Sequence, residues 1–145
     1  MDFFTAMEVS ATGLSAQRTR LNVASSNLAN VNTTRGPDGG PYRRRDVRLE
    51  TQPMRGDVAG ARAGGAPGRA FGVVVKQFVD DEKPPRLEYD PGHPDANPDG
   101  YVAYPNVNAI EEMVNVITAT RAYEAGLSAI GSAVQMAERA LSIGR

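Results

Sequence analysis

An unbroken apolar seam near the C-terminal end constrains this chain more than any other feature. Met113, Val116, Thr120, Tyr123, Leu127, Ile130, Val134, Ala137 and Leu141 follow alternating steps of three and four without a slip. Residues so spaced share one stripe of an α-helix, and about four heptads is long enough to predict a coiled-coil arrangement. A second stripe, Ile110, Val114 and Ile117, lies beside it over the first two turns. The opposite face offers Ala119, Ala122, Ala125, Ala129, Ser132 and Ala133, small side chains that let other helices come close. Asn108 is placed to cap the helix, and Glu111 three residues later completes a capping-box pattern with Asn in the Ser/Thr place. Pro105 blocks extension backward, and Gly144 is the natural stop. The pattern predicts a helix from 109 to 143, about 52 Å long.

The N-terminal segment carries a weaker counterpart. Met7, Leu14, Leu21 and Leu28 occupy one heptad position, with Phe4 and Ala11 three residues ahead of the first two. Arg18 and Ser25 interrupt that second line. A helix over 3 to 30 would be about 42 Å long, and an ordinary amphipathic helix on its own domain would show the same half-strong stripe. It runs into "SSNLANVNTTRG", which packs asparagines into what should be the last turn. Short polar side chains compete for backbone hydrogen bonds, satisfy them locally at a helix exit and accept left-handed conformations.

Between the helices the chain changes character. "RGPDGGPYRRR" is turn chemistry, and "GDVAGARAGGAPGRA", 56 to 70, is low-complexity sequence that predicts a flexible loop. Short strand candidates are 45–51, 71–79, 86–89 and 101–104, each bounded by Gly or Pro and sufficient for a small sheet or a pair of hairpins. The expected organisation is a mainly α, α+β chain in three parts. An N-terminal helical coiled-coil segment spans 1–32, an extended connector with a small loop-rich β insert 33–106, and a C-terminal helical coiled-coil segment 107–145. With apolar or small residues on most of its circumference, the second helix should be buried on several sides. A chain of 145 residues with only 6% aromatics has too little else to cover it. Other copies or sister proteins are expected to supply the cover.

Chemistry is sparse. The absence of cysteine removes disulfides, thiolate metal sites and cysteine nucleophiles. A formal net charge of −1 argues against a nucleic-acid footprint. No apolar run approaches the roughly 18 residues of a membrane span, so membrane insertion is not expected. "MDFFTAMEVSATG" lacks the basic and apolar regions of a cleaved secretory signal. "DANPDG" opens like a calcium loop at Asp95, Asn97 and Asp99, but its twelfth position is Asn106 where a bidentate Glu belongs, and Pro98 intrudes. His93, the sole histidine, has no acid or nucleophile placed to work with it. Arg43, Arg44 and Arg45 could meet nucleic acid or anionic lipid, but one short basic run beside Asp46 and Glu50 is more often a solvated strand or an interface patch. The glycines of 60 to 72 fit no phosphate-binding pattern. No catalytic residue, metal set, cofactor or small-molecule substrate is expected.

"LSAQRTRLNVASSNLANVNT", "YPNVNAIEEMVNVITATRAYEAG" and the final "ALSIGR" together resemble the flagellar basal-body rod and hook family. "RGPDGGPYR" and "LEYDPGHPDANPDGYV" resemble the middle region of its proximal-rod member. The resemblance covers both helices and much of the insert. It implies a structural subunit of a helical tube that transmits torque, encloses the export channel and spans the periplasm in the basal body. The terminal helices would form an inner coiled-coil layer. Implied partners are other copies of the chain, proximal and distal rod subunits, the rod-to-ring adaptor and, in transit, the flagellar type III export apparatus. By the same resemblance, the motif Asn27, Leu28, Ala29, Asn30 and Asn32 lies where the first helix gives way to an extended connector. Its asparagines would shape that junction and contact neighbouring subunits. Gly126 departs from the family's usual Asn, a mid-helix cost that close packing or a bend would offset. The 56–70 loop has no firm counterpart. The rival from another class is a cytosolic helical-hairpin adaptor or regulator that dimerises. It would give a stable, protease-resistant dimer, whereas a rod subunit should have mobile termini in dilute solution.

Overall fold

The terminal segments form two long helices laid side by side. In the computed structural model, which describes residues 3–54 and 70–143, α1 spans Phe3–Ala29 and α2 spans Ala109–Ile143. Gly144 and nearly all of the 56–70 loop lie outside the described residues. Between the helices come β1 (Arg45–Pro53), β2 (Phe71–Asp80), β3 (Arg86–Tyr89) and β4 (Tyr101–Tyr104), in two separate antiparallel pairs. The chain is thus mainly helical with a small β insert, as the periodicities predict. Both β1 and β2 run past the expected ends, to Pro53 and Asp80.

The first hairpin carries one irregularity. Arg48 pairs with Gln77 and Leu49 with Val75, so Lys76 is an extra residue bulging from β2. Such a bulge bends the strand and increases its twist. That bend lets the hairpin lie against α1, which packs on both β1 and β2 as well as on α2. At Gly72 a Cβ would sit 3.1 Å from Thr12 Oγ1 and 3.2 Å from Met54 Cγ, so the β2 backbone comes unusually near the helix. Thr12 bridges the gap: its hydroxyl donates to Val9 O at 2.7 Å and accepts from Val73 N–H at 3.1 Å.

The second hairpin stands off from the helices and closes on the connector. Val102 is fully buried there, as are Pro105 and Val107. Thr34 Oγ1 donates to Asp95 Oδ2 at 2.8 Å, and Arg35 lies 3.6 Å from the other oxygen of the same carboxylate. Gly100, at φ +82°, turns into β4 with the Tyr89 ring 2.8 Å from where a Cβ would stand, so only glycine fits.

The sevenfold lines are not the most deeply buried positions of the helices. The fully buried positions of α1 are Ala16, Ala24 and Asn27, and those of α2 are Glu112 and Ala119. Met7, Leu14, Leu21 and Leu28 are half-buried, while Met113, Leu127 and Leu141 stay exposed. At Gly126 the helices come close because the missing side chain makes room for Leu14: a Cβ there would lie 2.6 Å from Leu14 Cδ2. Close packing, then, is the compensation for a glycine in mid-helix.

Candidate functional site

Three segments far apart in sequence meet at the end of α1. Asn27, in the last turn of that helix, is 1% exposed and its amide is used to capacity. Nδ2 donates to Arg45 O at 2.8 Å and to Glu112 Oε2 at 3.0 Å. Oδ1 accepts from Tyr42 Oη–H at 2.9 Å and from Arg45 N–H at 3.0 Å. Asn27 therefore pairs with both backbone groups of Arg45 as an adjacent strand would, and this two-way pairing fixes which end of the amide is oxygen.

Glu112 closes the junction from α2. It lies in the first helical turn, where the positive end of the helix dipole favours a carboxylate, and it is 1% exposed. Oε1 accepts from Arg44 Nε at 2.8 Å and from Asn115 Nδ2 at 3.3 Å. Arg44 also approaches Asp46 Oδ2 at 3.6 Å. Burial works to lower the Arg44 pKa, but the hydrogen bond and charge of Glu112, aided by Asp46, hold it above its ordinary value. Each polar atom of this joint has a partner, which is what a buried polar network requires.

Among the motif residues, Asn30 Nδ2 donates to Ser26 O at 2.8 Å and Oδ1 accepts from Thr33 Oγ1 at 3.1 Å. Leu28 is half-buried, and Ala29 and Asn32 face solvent. The expected left-handed asparagines do not occur: among the described residues only Gly39 and Gly100 have positive φ. The helix instead unwinds through short turns, Asn30 N–H to Ser26 O and Asn27 O, then Val31 N–H to Leu28 O and Thr33 N–H to Asn30 O. Asn27 is not a local cap at all; its partners lie 15 to 85 residues away.

At the start of α2, Ile110 N–H donates to Asn108 Oδ1 at 3.0 Å, while Glu111 makes no return bond among the described residues. His93 Nδ1 accepts from Asp95 N–H within the turn. The arginine run divides. Arg44 turns inward to Glu112, Arg45 reaches Asp80 at 3.2 Å across the hairpin, and Arg43 is exposed. The sequence reading had no part for Tyr42, Arg44 or Glu112 at the junction. Two adjacent acids in one helical turn look alike until the fold buries one of them.

The second candidate surface is the outer side of α2. Ile110, Met113, Val114, Ile117, Leu127 and Leu141 are about half exposed or more, from Leu127 at 48% to Leu141 at 75%. Val116, Thr120, Tyr123, Ile130 and Val134 are half-buried along its inner edge. On α1, Phe4 is 75% exposed and Ala11 faces solvent. Large apolar side chains left this exposed along one helix of a small chain, with Arg121 and Glu124 exposed between Ile117 and Leu127, mark a surface that another protein covers. No helix among the described residues is long and apolar enough to cross a membrane.

Paired terminal helices with an uncovered seam, joined by a small β insert, are the build of a subunit whose core is completed by assembly. A family model described as flagella basal body rod protein matches residues 7–37, and one described as flagellar basal body rod FlgEFG protein C-terminal matches 99–143. The first segment contains Asn27 and the second Glu112, so the junction ties the two matched segments together. Curated flagellar basal-body rod proteins FlgC are similar over essentially the whole chain. That of Borreliella burgdorferi is 43% identical over 99% of this chain and 98% of its own. Those of Bacillus subtilis and Salmonella typhimurium are 39% and 35% identical over the full length of both partners. The chain belongs to the flagellar basal-body rod proteins, in the FlgC family. It is a structural subunit of the rod in the flagellar basal body.

Proposed function

We propose that this subunit occupies the proximal rod, where copies of it and other rod proteins build a helical tube that transmits torque and encloses the export channel. Its neighbours there are further proximal and distal rod subunits and the rod-to-ring adaptor. It reaches the periplasm-spanning rod through the flagellar type III export apparatus, and it has no catalytic activity. Segments 1–32 and 107–145 form the inner coiled-coil layer, and 33–106 makes outer or lateral contacts. The exposed seam of α2 carries this reading, because a rod subunit must keep such a surface for its neighbours. The sevenfold line of α1, from Phe4 and Met7 to Leu28, contributes the facing side. Asn30 and Asn32 lie at the rim of the junction, and contact with the next subunit is their proposed role.

The test is genetic and structural. Deletion of the gene should abolish rods, seen as missing basal bodies by electron microscopy together with lost motility. A copy carrying Leu127→Asp, exported and stable, should fail to restore them. Normal flagella in the deletion strain would overturn the reading and favour a cytosolic adaptor. Replacing Asn30 and Asn32 together by Ala should spare expression and impair assembly; unchanged motility would remove them from the interface.

A further inference from the structure

The fully buried apolar residues of the two helices are Ala16, Ala24 and Ala119. Small apolar groups make no directional bonds, so such surfaces favour contact while fixing position less strictly than a hydrogen-bonded cluster does. The polar junction discriminates strongly. Glu112 has to accept at both oxygens, from Asn27 on one side and from Arg44 and Asn115 on the other. Any displacement leaves a buried charge or amide without its partner, the costliest kind of mismatch in a protein interior.

We propose that Glu112 and Arg44 form a positioning key. The pair selects one docking of the β1–β2 hairpin on the helical pair, and adds little to stability. A buried ion pair gives back in mutual attraction roughly what it loses in hydration, and fixing register is its best-attested use. Three features support this role here. The pair links the residue just before β1 to the first turn of α2, and Asn27 adds the last turn of α1, so one cluster sets three elements at once. Asn27 engages Arg45 through backbone groups, so its fit depends on where the strand lies and not on what Arg45 is. The remaining anchors, Thr12 against Val73 and Leu14 against Gly126, each join only two elements.

The chain has no cysteine, so an engineered pair reports docking directly. Thr12→Cys with Gly72→Cys suits the purpose, because a Cβ at Gly72 lies 3.1 Å from Thr12 Oγ1, within reach of a disulfide whose Cβ atoms sit about 3.8 Å apart. In the purified full chain this pair should oxidise to an intramolecular bridge. Adding Arg44→Met with Glu112→Gln, which removes both charges but keeps an acceptor for Asn27 Nδ2, should cut the yield about fivefold or more, yet leave the thermal midpoint within about 5 °C. Glu112→Leu alone, which strands Arg44, should lower both yield and midpoint. Unchanged yield in either variant would overturn the proposal, since packing alone would then set the docking. So would a loss of yield in the double variant that only follows a matching fall in midpoint, which would make the pair a stabiliser. Failure of the parent cysteine pair to close would also overturn it, because the free subunit would lack the docking that the key selects.

Discussion

Glutamine is nearly isosteric with glutamate, yet position 112 should not accept it. Both carboxylate oxygens receive hydrogen bonds, and the donors on either side are held by other contacts. A glutamine amide would aim its NH2 at Asn27 Nδ2 or at Arg44 and Asn115, donor against donor in either orientation. Asn27 cannot flip to help, because Arg45 N–H and Tyr42 Oη–H require its oxygen where it is. Glu112→Gln should therefore cost about 2–4 kcal/mol in denaturant unfolding, the range for a buried charged group that loses its partners. Asn27→Ala should cost a similar amount, since it orphans groups on Tyr42, Arg45 and Glu112 together. Asn32→Ala, on the exposed side of the same motif, should change stability by no more than about 0.5 kcal/mol. Equal costs at Asn27 and Asn32 would mean that the junction is not buried as described.

At the scale of elements, α1 and α2 are anchored at one end and thinly held at the other. Asn27 and Glu112 lock the junction end, while Phe4, Leu141 and Ile143 at the far ends are largely exposed. Amide exchange in the free subunit should follow that gradient: slowest around Ala24–Asn27 and Glu112–Ala119, fastest over 3–10 and 135–143. A flat profile along α2 would contradict it. Gly126 makes the separation of the helices measurable. Alanine there gains about 1 kcal/mol of helix propensity but meets Leu14 Cδ2, the far end of a flexible side chain. Moving Leu14 off its rotamer costs about 0.5–1.5 kcal/mol, so Gly126→Ala should be close to neutral. Gly126→Leu has no such escape and should lower stability by about 1–3 kcal/mol, read from the shift of the unfolding midpoint.

For the whole molecule, folding and assembly use different residues. The fully buried positions of the two helices are alanines and the polar joint, whereas Met113, Leu127 and Leu141 stay exposed on α2. Leu127→Asp should thus leave the unfolding free energy of the free subunit within about 1 kcal/mol, the helix-propensity difference included. The same substitution should abolish rod formation in the cell. Loss of stability in solution would place Leu127 in the subunit's own core and remove the seam from the assembly surface. The two matched family segments meet at the polar joint, so any variant that opens the joint should also misplace the seam.

The helices and strands follow from local signals. The three-and-four spacing, Asn108 before the helix, Pro105 and the Gly- and Pro-bounded strands each act within a few residues. The start of α2 and the limits of both short strands, β3 and β4, could be read from them directly. Which face of α2 meets α1 was decided only by tertiary structure. The heptad spacing marked one stripe but not how deeply each of its residues would lie: Val116, Thr120, Tyr123, Ile130 and Val134 are half-buried and Met113, Leu127 and Leu141 exposed, while Ala119 is the buried apolar position and Gly126 receives Leu14. The asparagines show the same division. Their helix-ending character was local and legible. That Asn27 would bond to Arg45 and Glu112 was not, because its partners lie 18 and 85 residues away and only the folded chain brings them within 3.0 Å.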